Sequence, residues 1–548
     1  MSESRDPSQP TRRRVAGDTT FISVLRNIQT MAVPGTDRFD IREYGAISDS
    51  EDPDTDAIQA ALDECAAAGG TVYVPNGTYV TAPLRVGDDT TLHLDAGATL
   101  RFVGDYDAFP TVESRWEGWD QIGFHPCLLV DGVENVSITG RGTIDGNGAY
   151  WWQFYDAPES DLPDGLRERL AEFEERNDKQ DDVSSFTHRP PLFQIAESEN
   201  VSVSGVTLRN SPFWNTHVVY SENVTLHDVN VENPADAPNG DGIDIDSSRY
   251  VRISDTYINA GDDAICIKSG KNAEGREVGE PASQITVTNC TVEAGHGGVV
   301  IGSEMSGDVR DVTVTNCTFT DTDRGVRIKT QRDRGGVVED LRFDNIVMRR
   351  IACPFVINGY YFTPLDSDPE PVDEGTPMVR NVSFTNITAR EVETAGFFAG
   401  LPERYFEGIS FRDVQIDATR PLDATDLDPA MAYDYEQGHG LFCKSIADIS
   451  FTDVRIRTPE SDGPAMRFEE TDDVTIDGLR VPDSRAAPVV SLTDVGTTRV
   501  RGCSPQAEGP FLRASGADTD TISLAGNHGS LAEAVEVDDD SEATIERS

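Results

Sequence analysis

Lysine is nearly absent from this sequence, and acidic residues far outnumber basic ones. The 548 residues include 46 Lys and Arg against 97 Asp and Glu, a formal net charge of −51 at pH 7. Five of the basic residues are lysines: Lys179, Lys268, Lys271, Lys329 and Lys444. Because a chain this negative repels phosphate groups, its composition argues against nucleic acid and anionic membranes as partners.

Long apolar runs and closely paired cysteines are also missing. Without a run of about 18 apolar residues, the sequence predicts no membrane-spanning helix. Its eight cysteines form no CxxC pair, so neither a metal cluster nor a disulfide framework is predicted. Cys266, Cys290 and Cys317 have the spacing of a strand repeat, which predicts buried thiols stacked in a core.

The N-terminal residues do not form a recognisable export signal. The three arginines at 12–14 would fit a twin-arginine signal, but the residues that follow include Asp18 and Arg26 and lack a clean apolar run. We therefore expect a cytoplasmic location.

The excess of acid has a physical cost that salt can remove. Repulsion among so many like charges opposes a compact fold, and molar salt shortens the Debye length to about 3 Å. An acidic, lysine-poor sequence with 37% hydrophobic residues resembles proteins of halophilic archaea that accumulate salt. A cationic partner is the alternative, but the acidic residues are spread along the chain and do not form one tract.

A short strand-like motif recurs from about residue 136 onward. Each copy alternates apolar and polar residues and ends in Asn, Asp or Gly, which tolerate left-handed backbone. The copies end at Gly140, Gly205, Asp228, Asp255, Asn289, Asn316, Asn345, Asn386, Asp413, Asp453 and Gly478. The shortest spacings, 23, 25 and 27 residues, predict an all-β fold, a parallel β-helix with one copy in each coil. A β-sandwich would need a turn about every 8–12 residues.

The rest of the chain is predicted to form terminal segments and loop insertions of this solenoid. Residues 1–36 are interpreted as an N-terminal arm, 37–530 as the β-helix domain and 531–548 as a solvated acidic tail. An insertion at 141–195, with further inserts near 353–380 and 417–445, is predicted to supply the walls of a cleft.

Two helices are predicted outside the repeats. The first begins after Asp54 as N-cap, ends at Gly69 and covers the open end of the first coil. The second lies in the insertion and places Leu166, Leu170 and Phe173 on one side.

Four polar motifs occupy successive coils between Asn239 and Lys329. They read NGDGIDID, GDDAICIKSG, GHGG and RGVRIKT. Each follows the shared strand by 7–13 residues. Because neighbouring coils stack about 4.8 Å apart, these motifs should form one patch. Asp244 and Asp246, in contrast, are interpreted as solvated turn residues of an acidic surface.

The residue types in this patch suit the hydrolysis of an acidic sugar polymer. Glycoside hydrolysis needs a protonated carboxyl for the leaving oxygen and a carboxylate for the nucleophile, and crowding raises the pKa of one carboxyl. Three of the five lysines, Lys268, Lys271 and Lys329, fall in this block, which favours an anionic ligand. Spacing alone leaves open which aspartate is the acid.

The four motifs resemble glycoside hydrolase family 28, the polygalacturonases. The family's marks appear in order as Asn239-Gly240-Asp241, Asp262-Asp263, Gly295-His296-Gly297 and Arg327-Ile328-Lys329. The family usually has Thr where this chain has Gly240, which affects no catalytic group. The resemblance implies a right-handed, pectin-lyase-like β-helix that uses neither a metal nor a cofactor.

The resemblance also implies roles for the motif residues. Asp262 would be the general acid and His296 its support. Asp241 and Asp263 would activate a water for inverting attack. Arg327 and Lys329 would bind a galacturonate carboxylate, and Lys268 and Asn239 are assigned to substrate binding as well: the full set is Asn239, Asp241, Asp262, Asp263, Lys268, His296, Arg327 and Lys329.

The implied function is hydrolysis of α-1,4-linked galacturonic acid in polygalacturonate or pectin oligomers. The large inserts, the NSPFW segment ending at Trp214 and the pair Trp151-Trp152 favour an exo mode. The alternatives are a rhamnogalacturonan or xylogalacturonan hydrolase, a calcium-dependent pectate lyase and a non-catalytic polysaccharide-binding β-helix. The sequence leaves the oligomeric state open.

Overall fold

The strand repeat forms the coils of a right-handed parallel β-helix, as predicted. The computed structural model describes residues 37–177, 188–422, 438–459, 461–483, 486–504, 508–528 and 534–548. Within those residues nearly every strand pairs in parallel with the equivalent strand of the next coil. The described part contains no helix that is long and apolar enough to span a bilayer.

One face of the solenoid is a 15-stranded sheet, here called the site sheet. Its strands, in spatial and sequence order, are Leu84–Val86, Leu128–Asp131, Phe193–Ala196, Thr216–Val219, Ile243–Asp246, Asp263–Lys268, Gly297–Ile301, Arg324–Lys329, Cys353–Asn358, Gly396–Ala399, Leu441–Lys444, Met466–Glu469, Val490–Thr493, Leu512–Ser515 and Val535–Val537.

The other two faces are joined into one 26-stranded sheet. Three long strands run from one face to the other: Val337–Arg349, Met378–Val392 and Phe406–Ala418. The first face also contains Arg38–Asp40, Gly70–Val74, Thr90–Leu94, Ser137–Gly140, Glu199–Ser204, Glu222–His227, Arg252–Ser254, Ala282–Thr288, Val309–Thr315, Ile446–Thr452, Asp472–Asp477, Thr498–Arg501, Thr521–Ala525 and Thr544–Arg547. The second contains Gly77–Thr81, Ala98–Phe102, Thr143–Asp145, Thr207–Arg209, Asn230–Glu232, Tyr257–Asn259, Thr291–Gly295, Thr318–Thr322 and Arg455–Arg457.

Side-chain stacking explains why the repeat folds this way. Alternate residues of each strand point into the solenoid, where Phe384, for example, stacks on Phe411 at 4.7 Å between ring centroids. The residue that ends each motif turns the chain with positive φ, as at Asn316, Asn345 and Asn386. The side-chain amides of these three form a ladder with hydrogen bonds of 2.7 and 3.0 Å.

The helices lie outside the strand repeats. They are Thr55–Ala68, Ala149–Trp152, Asp164–Arg176 and Asn272–Val278, with short 3-10 turns at Ile41–Tyr44, Tyr106–Ala108 and Glu159–Asp161. The first helix buries Ile58, Leu62 and Cys65 against the first coils. Asp54 occupies the N-cap position, as predicted, and its carbonyl accepts from Ile58 N at 3.0 Å. Its carboxylate makes no cap hydrogen bond and accepts from Ile47 N at 2.9 Å.

The C-terminal residues differ from the predicted solvated tail at 531–548. Val535–Val537 pairs with Leu512–Ser515, and Thr544–Arg547 pairs with Thr521–Ala525, so the coils continue almost to the last residue. Their acidic side chains still face solvent, because backbone pairing in a solenoid places no requirement on outward side chains. The arm at 1–36 lies outside the described residues, and the division into arm, domain and tail stays a prediction.

An antiparallel hairpin covers part of the site sheet. It joins Thr111–Trp116 to Trp119–Phe124. The helix Asp164–Arg176 packs beside it and buries Leu166 and Phe173, and Phe124 contacts Phe173 edge to face at 5.0 Å. The hairpin belongs to none of the inserts predicted from the sequence.

Candidate active site

The four motifs lie on four neighbouring strands of the site sheet. These are Ile243–Asp246, Asp263–Lys268, Gly297–Ile301 and Arg324–Lys329, each paired with the next. The register sets Cys266 opposite Val300, and Val300 opposite Arg327. The stacking expected from the sequence spacing therefore brings residues 66 positions apart, such as Asp263 and Lys329, into direct contact.

Three aspartates form the centre of the site. Asp241 precedes the first of these strands, Asp262 precedes the second, and Asp263 begins it. One carboxylate oxygen of each lies within 4.8 Å of one from the others. Asp241 and Asp263 are buried, with 3% and 1% of their surface exposed, whereas 23% of the Asp262 side chain is exposed. The trio therefore contacts solvent mainly through Asp262.

Burial and neighbouring charges give the three carboxyls different proton affinities. Burial, reinforced by the carboxylates of Asp244 and Asp262, raises the pKa of Asp241 well above its usual value. Burial also disfavours the charged form of Asp262, but the hydrogen bond and charge of His296, together with the charges of Lys329 and Lys268, outweigh it and hold that pKa well below its usual range. The pKa of Asp263 is lowered too, because Lys329 and Arg327 outweigh its burial.

His296 lies at the rim of the site and contacts Asp262. Its Nδ1 donates a hydrogen bond to Asp262 Oδ1 at 3.0 Å, and its backbone N–H donates to the Asp262 carbonyl at 2.8 Å. The bond to Asp262 raises the pKa of the imidazole. Gly295 permits this approach, since it has φ +130° and a Cβ there would lie 2.7 Å from the Asp262 carbonyl oxygen.

Arg327 and Lys329 bring positive charge to Asp263. Lys329 Nζ donates to Asp263 Oδ2 at 2.7 Å, and Arg327 Nη1 lies 3.8 Å from Asp263 Oδ1. Both cations are almost completely buried. The ring of Tyr361 lies 5.4 Å from the Arg327 guanidinium and 5.3 Å from Lys329 Nζ, so an aromatic side chain borders the cations.

Lys268 lies beneath the aspartate trio and away from open solvent. Its Nζ is 3.6 Å from Asp244 Oδ1 and 3.4 Å from Glu304 Oε2, and it lies 4.5 Å from the centroid of the Trp214 ring. The residue is 4% exposed. The structure therefore brings Lys268 into the electrostatic surroundings of the trio but pairs it with protein carboxylates.

Asn239 is close to the trio in sequence but directed toward another partner. Its side-chain oxygen accepts a hydrogen bond from Arg189 Nη2 at 2.6 Å. Arg189 also donates to the carbonyls of Pro212 and Pro238, and it lies 5.0 Å from the Tyr155 ring. Arg189 and Tyr155 were not predicted, because the contact between Arg189 and Asn239 joins an insert to a coil and follows no spacing rule.

The prediction for Asp244 and Asp246 was wrong, since both are completely buried. The first strand of the site directs them outward, but the hairpin covers this part of the sheet. Arg115 of the hairpin donates to Asp246 Oδ1 at 2.8 Å and also contacts Tyr220. Burial alone would raise the pKa of Asp246, but Arg115 and His217 hold it below its usual value.

The predicted stack of three thiols was wrong for Cys266. All eight cysteines are free and buried. Cys290 and Cys317 occupy equivalent positions of adjacent coils, since Thr291 pairs with Thr318. Cys266 lies on the site sheet, where its Sγ is 3.7 Å from Asp263 Oδ2 and 3.2 Å from the Gly302 carbonyl. The periodicity identified strands but did not distinguish one face from another.

The tryptophans have mainly a packing role. Trp151 is completely buried against Phe109 and Phe124, and Trp214 packs with Trp116 and Phe213. Trp119 lies at the tip of the hairpin, 4.0 Å from Lys271 Nζ. These contacts fix the hairpin beside the site.

Two groups of side chains have the atom types of a metal site. Asp241, Asp262 and Asp263 form one, and Asp241, Asp244 and Cys266 form the other, each with ligating atoms within 4.8 Å of one another. Lys329 and Lys268 already place positive charge 2.7 and 3.6 Å from members of these groups. At the first group, Lys329 can therefore hold Asp263 ionised.

Comparisons with known proteins agree with the motifs. Residues 173–426 match the family model described as Glycosyl hydrolases family 28, a span that includes all four motifs. Residues 38–158 match a second model, described as Rhamnogalacturonase A/epimerase, pectate lyase-like.

Individual relatives point in the same direction. A probable polygalacturonase of Vitis vinifera is 30% identical over 385 residues, 68% of this chain and 73% of the relative. An endo-polygalacturonase of Pectobacterium carotovorum subsp. carotovorum is 33% identical over 343 residues, 61% of this chain and 77% of the relative. Among solved structures, a hyperthermoactive exopolygalacturonase of Thermotoga maritima has a TM-score of 0.63 at 30% identity, covering 73% of this chain and 91% of that one.

Proposed function

The chain belongs to glycosyl hydrolases family 28 and is a glycoside hydrolase, and on that premise we propose that it cleaves α-1,4-linked galacturonic acid in polygalacturonate or pectin oligomers. One observation carries the proposal: three carboxylates lie within 4.8 Å of one another, beside an imidazole and two buried cations. The carboxylates suit hydrolysis of a glycosidic bond, and the cations suit a sugar that carries its own carboxylate.

In this proposal Asp262 is the general acid and His296 supplies its proton. The support is the 3.0 Å hydrogen bond between them, together with a raised pKa at His296 that favours the imidazolium. Because its own pKa is lowered, Asp262 is ionised at rest beside the imidazolium. As the bond from the anomeric carbon to the leaving oxygen breaks, a proton passes from His296 to Asp262 and from Asp262 to that oxygen. The most exposed member of the trio thus faces the leaving group.

Asp263 accepts the proton of the attacking water, and Asp241 holds the same water. Asp263 suits a base because Lys329 and Arg327 lower its pKa and keep it ionised despite burial. The water oxygen bonds to the anomeric carbon, and one of its protons passes to Asp263. The products are a shortened chain and a free reducing end.

We propose inversion at the anomeric carbon, as in the mechanism that the family resemblance implies. The short spacing within the trio is closer to the separation of about 5 Å found in retaining pairs than to the 6.5–9.5 Å of inverting ones. A third carboxylate changes that rule, because two of the three can hold the water while the other acts as acid. Proton NMR of the first product resolves the question: the β-anomer supports inversion, and the α-anomer would establish retention.

Exo action is the proposed mode of cleavage. The hairpin Thr111–Phe124 closes one side of the site, since Arg115 binds Asp246 and the Gly118 carbonyl accepts from Lys271 N at 3.1 Å. A wall at this position favours a pocket for a chain end over an open groove. Mass analysis of products from defined galacturonate oligomers tests this: release of one small product supports exo action, and a ladder of lengths contradicts it.

Substrate binding is proposed for Arg327 and Lys329, which lie at the trio, with Lys268 and Asn239 contributing from beneath and beside it.

The proposed setting is a halophilic cytoplasm, because the charge of −51 needs screening. Raising KCl from millimolar to molar should therefore raise both the Tm and the activity, and a Tm that falls with KCl would contradict this setting.

Release of reducing ends from polygalacturonate in molar KCl tests the function itself. We expect release by the wild type and almost none by Asp262→Asn, because the amide cannot donate the proton. Equal release by both proteins would remove Asp262 from the mechanism. An unsaturated product that absorbs in the ultraviolet and requires Ca²⁺ would replace hydrolysis with elimination.

A further inference from the structure

Asp244 is a buried carboxyl that the proposed reaction does not use. It is completely buried, and neither of its oxygens accepts a hydrogen bond among the described residues. Lys268 Nζ lies 3.6 Å from Oδ1, which is an ion-pair distance. Asp246 points the same way two residues later but accepts a hydrogen bond from Arg115 at 2.8 Å. The two carboxyls therefore differ in how their charge is supported.

The charges around Asp244 do not offset a full negative charge on it. They come from its own strand, the neighbouring strands and adjoining loops: Asp241, Asp246, His217, Asp263, Cys266, Lys268 and Glu304. The cation in direct contact, Lys268, is shared with Glu304 at 3.4 Å. Ionising a buried carboxyl without hydrogen-bond donors is unfavourable, so the neutral form is favoured.

Asp241 is the neighbour that can share this proton. An oxygen of Asp241 and one of Asp244 lie within 4.8 Å of each other. Burial raises the pKa of both groups, and the carboxylate of Asp244 raises the pKa of Asp241 further. Carboxyls coupled this closely lose their protons in two steps that belong to the pair.

We propose that Asp244 is a positioning residue that holds one proton jointly with Asp241, so that the pair carries a single negative charge while a uronate binds. The inference rests on the proposed function. With the proton on Asp244, Asp241 is a carboxylate that can hold the attacking water. When the pair loses its proton, a second negative charge faces an anionic substrate, and binding weakens before the chemistry does.

The test is the pH dependence of KM in the full-length protein. On a galacturonate oligomer, the wild-type KM should rise up to about tenfold per pH unit once the pair loses its last proton. Asp244→Asn cannot make that second ionisation, so its KM should stay flat in the alkaline range. Its kcat below neutral pH should stay within about threefold of the wild type, because a neutral amide resembles protonated Asp244.

Asp246→Asn is the matched control, since it removes a buried carboxyl from the same strand and face. Its KM should keep the alkaline rise even if the hairpin is weakened. Infrared spectroscopy of the unmutated protein adds a readout that needs no activity: a protonated carboxyl band at neutral pH should be present and should vanish in Asp244→Asn.

Three results would contradict the proposal that Asp244 and Asp241 share one proton. The first is an Asp244→Asn variant whose KM rises with pH as in the wild type. The second is a folded variant whose kcat falls equally at every pH, and the third is a wild-type spectrum without a protonated carboxyl at neutral pH. The proposed function fails differently, through a wild type that releases no reducing ends from polygalacturonate.

Discussion

Two stretches of the site sheet have the same backbone and opposite kinds of outward side chain. On the site coils, one column of the sheet runs through Asp244, Cys266 and Arg327. On the later coils the same column continues through Phe397 and Phe442. The register does not change between them, so the chemistry of each stretch is decided by side chains alone.

The later coils use their outward face for packing. Phe397 and Phe442 pack with Tyr360, Leu365 and Leu401 in a second hydrophobic cluster outside the solenoid. Burying such surface stabilises the fold by about 25 cal/mol per Å². The site coils bury carboxylates and cations in the equivalent place, where desolvation offsets much of the Coulomb attraction. The comparison therefore predicts losses of activity in the first stretch and losses of stability in the second.

The largest expected effect is on the site coils. Asp262→Asn should lower kcat on polygalacturonate by about 10³-fold or more, because a general acid contributes about 10²–10⁴-fold. The Tm should fall only modestly, since the amide loses the charge that His296 stabilises but keeps a side chain of the same shape. Asp255→Asn is the control, an exposed aspartate with φ +53° where Asn is tolerated equally well. Lost activity with a Tm at or below the assay temperature would indicate unfolding instead.

On the later coils the same kind of substitution should act on stability. Phe442→Ala should lower the free energy of unfolding by about 3–5 kcal/mol, because it leaves a cavity in a buried cluster. Denaturant unfolding measures this change, and kcat should stay at the wild-type value. Phe362→Ala provides the control, since Phe362 is 47% exposed and its removal should change stability by no more than about 0.5 kcal/mol. Equal losses from both would contradict the packing role.

The contrast also shows which features of the fold and of the site could be predicted from the sequence. The strand repeat predicted the solenoid because each coil must bury the same inward face, and the motif offsets placed Asp241, Asp262 and Asp263 in one patch. Spacing was sufficient there, because stacked coils convert equal offsets along the chain into proximity in space. The roles assigned to these residues stay predictions.

The same reasoning failed where a segment outside the strand repeat determines the surroundings of a side chain. Asp244 and Asp246 were predicted to be solvated because the whole chain is acidic, yet the hairpin covers their face. Among the described residues its two strands pair only with each other, so the repeat gives no signal for it. Cys266 was assigned to the wrong face for a related reason, since the period alone does not tell which of the three faces of the solenoid a strand joins. Arg189 reaches Asn239 across 50 residues, a contact that no local pattern encodes.

Two lysines in one column of the site sheet provide a further test of this comparison. The register runs from Lys329 through Asn358 and Ala399 to Lys444 on a later coil. Lys329→Met should lower kcat/KM by about 10²-fold, because Asp263 loses the cation at 2.7 Å that keeps it ionised and a general base contributes about 10²–10⁴-fold. Lys444→Met, which leaves Glu470 3.6 Å away without its ion pair, should keep wild-type kinetics. Similar losses from both would show that any lysine on this face matters.

The smallest expected effect separates two histidine–aspartate contacts. His296→Asn should lower kcat by about tenfold at neutral pH, because Asp262 loses the group that returns its proton. Contact with Asp262 raises the pKa of His296, so the imidazole is protonated below that pKa and loses its charge as pH rises through it. The wild-type kcat should therefore fall on the alkaline side, and the variant should lack that fall.

His227→Asn is the matched control, because His227 lies 3.4 Å from Asp255 on another face of the solenoid and should change neither kcat nor its pH dependence. An alkaline fall that persists in His296→Asn would assign it to another group and remove His296 as the proton source.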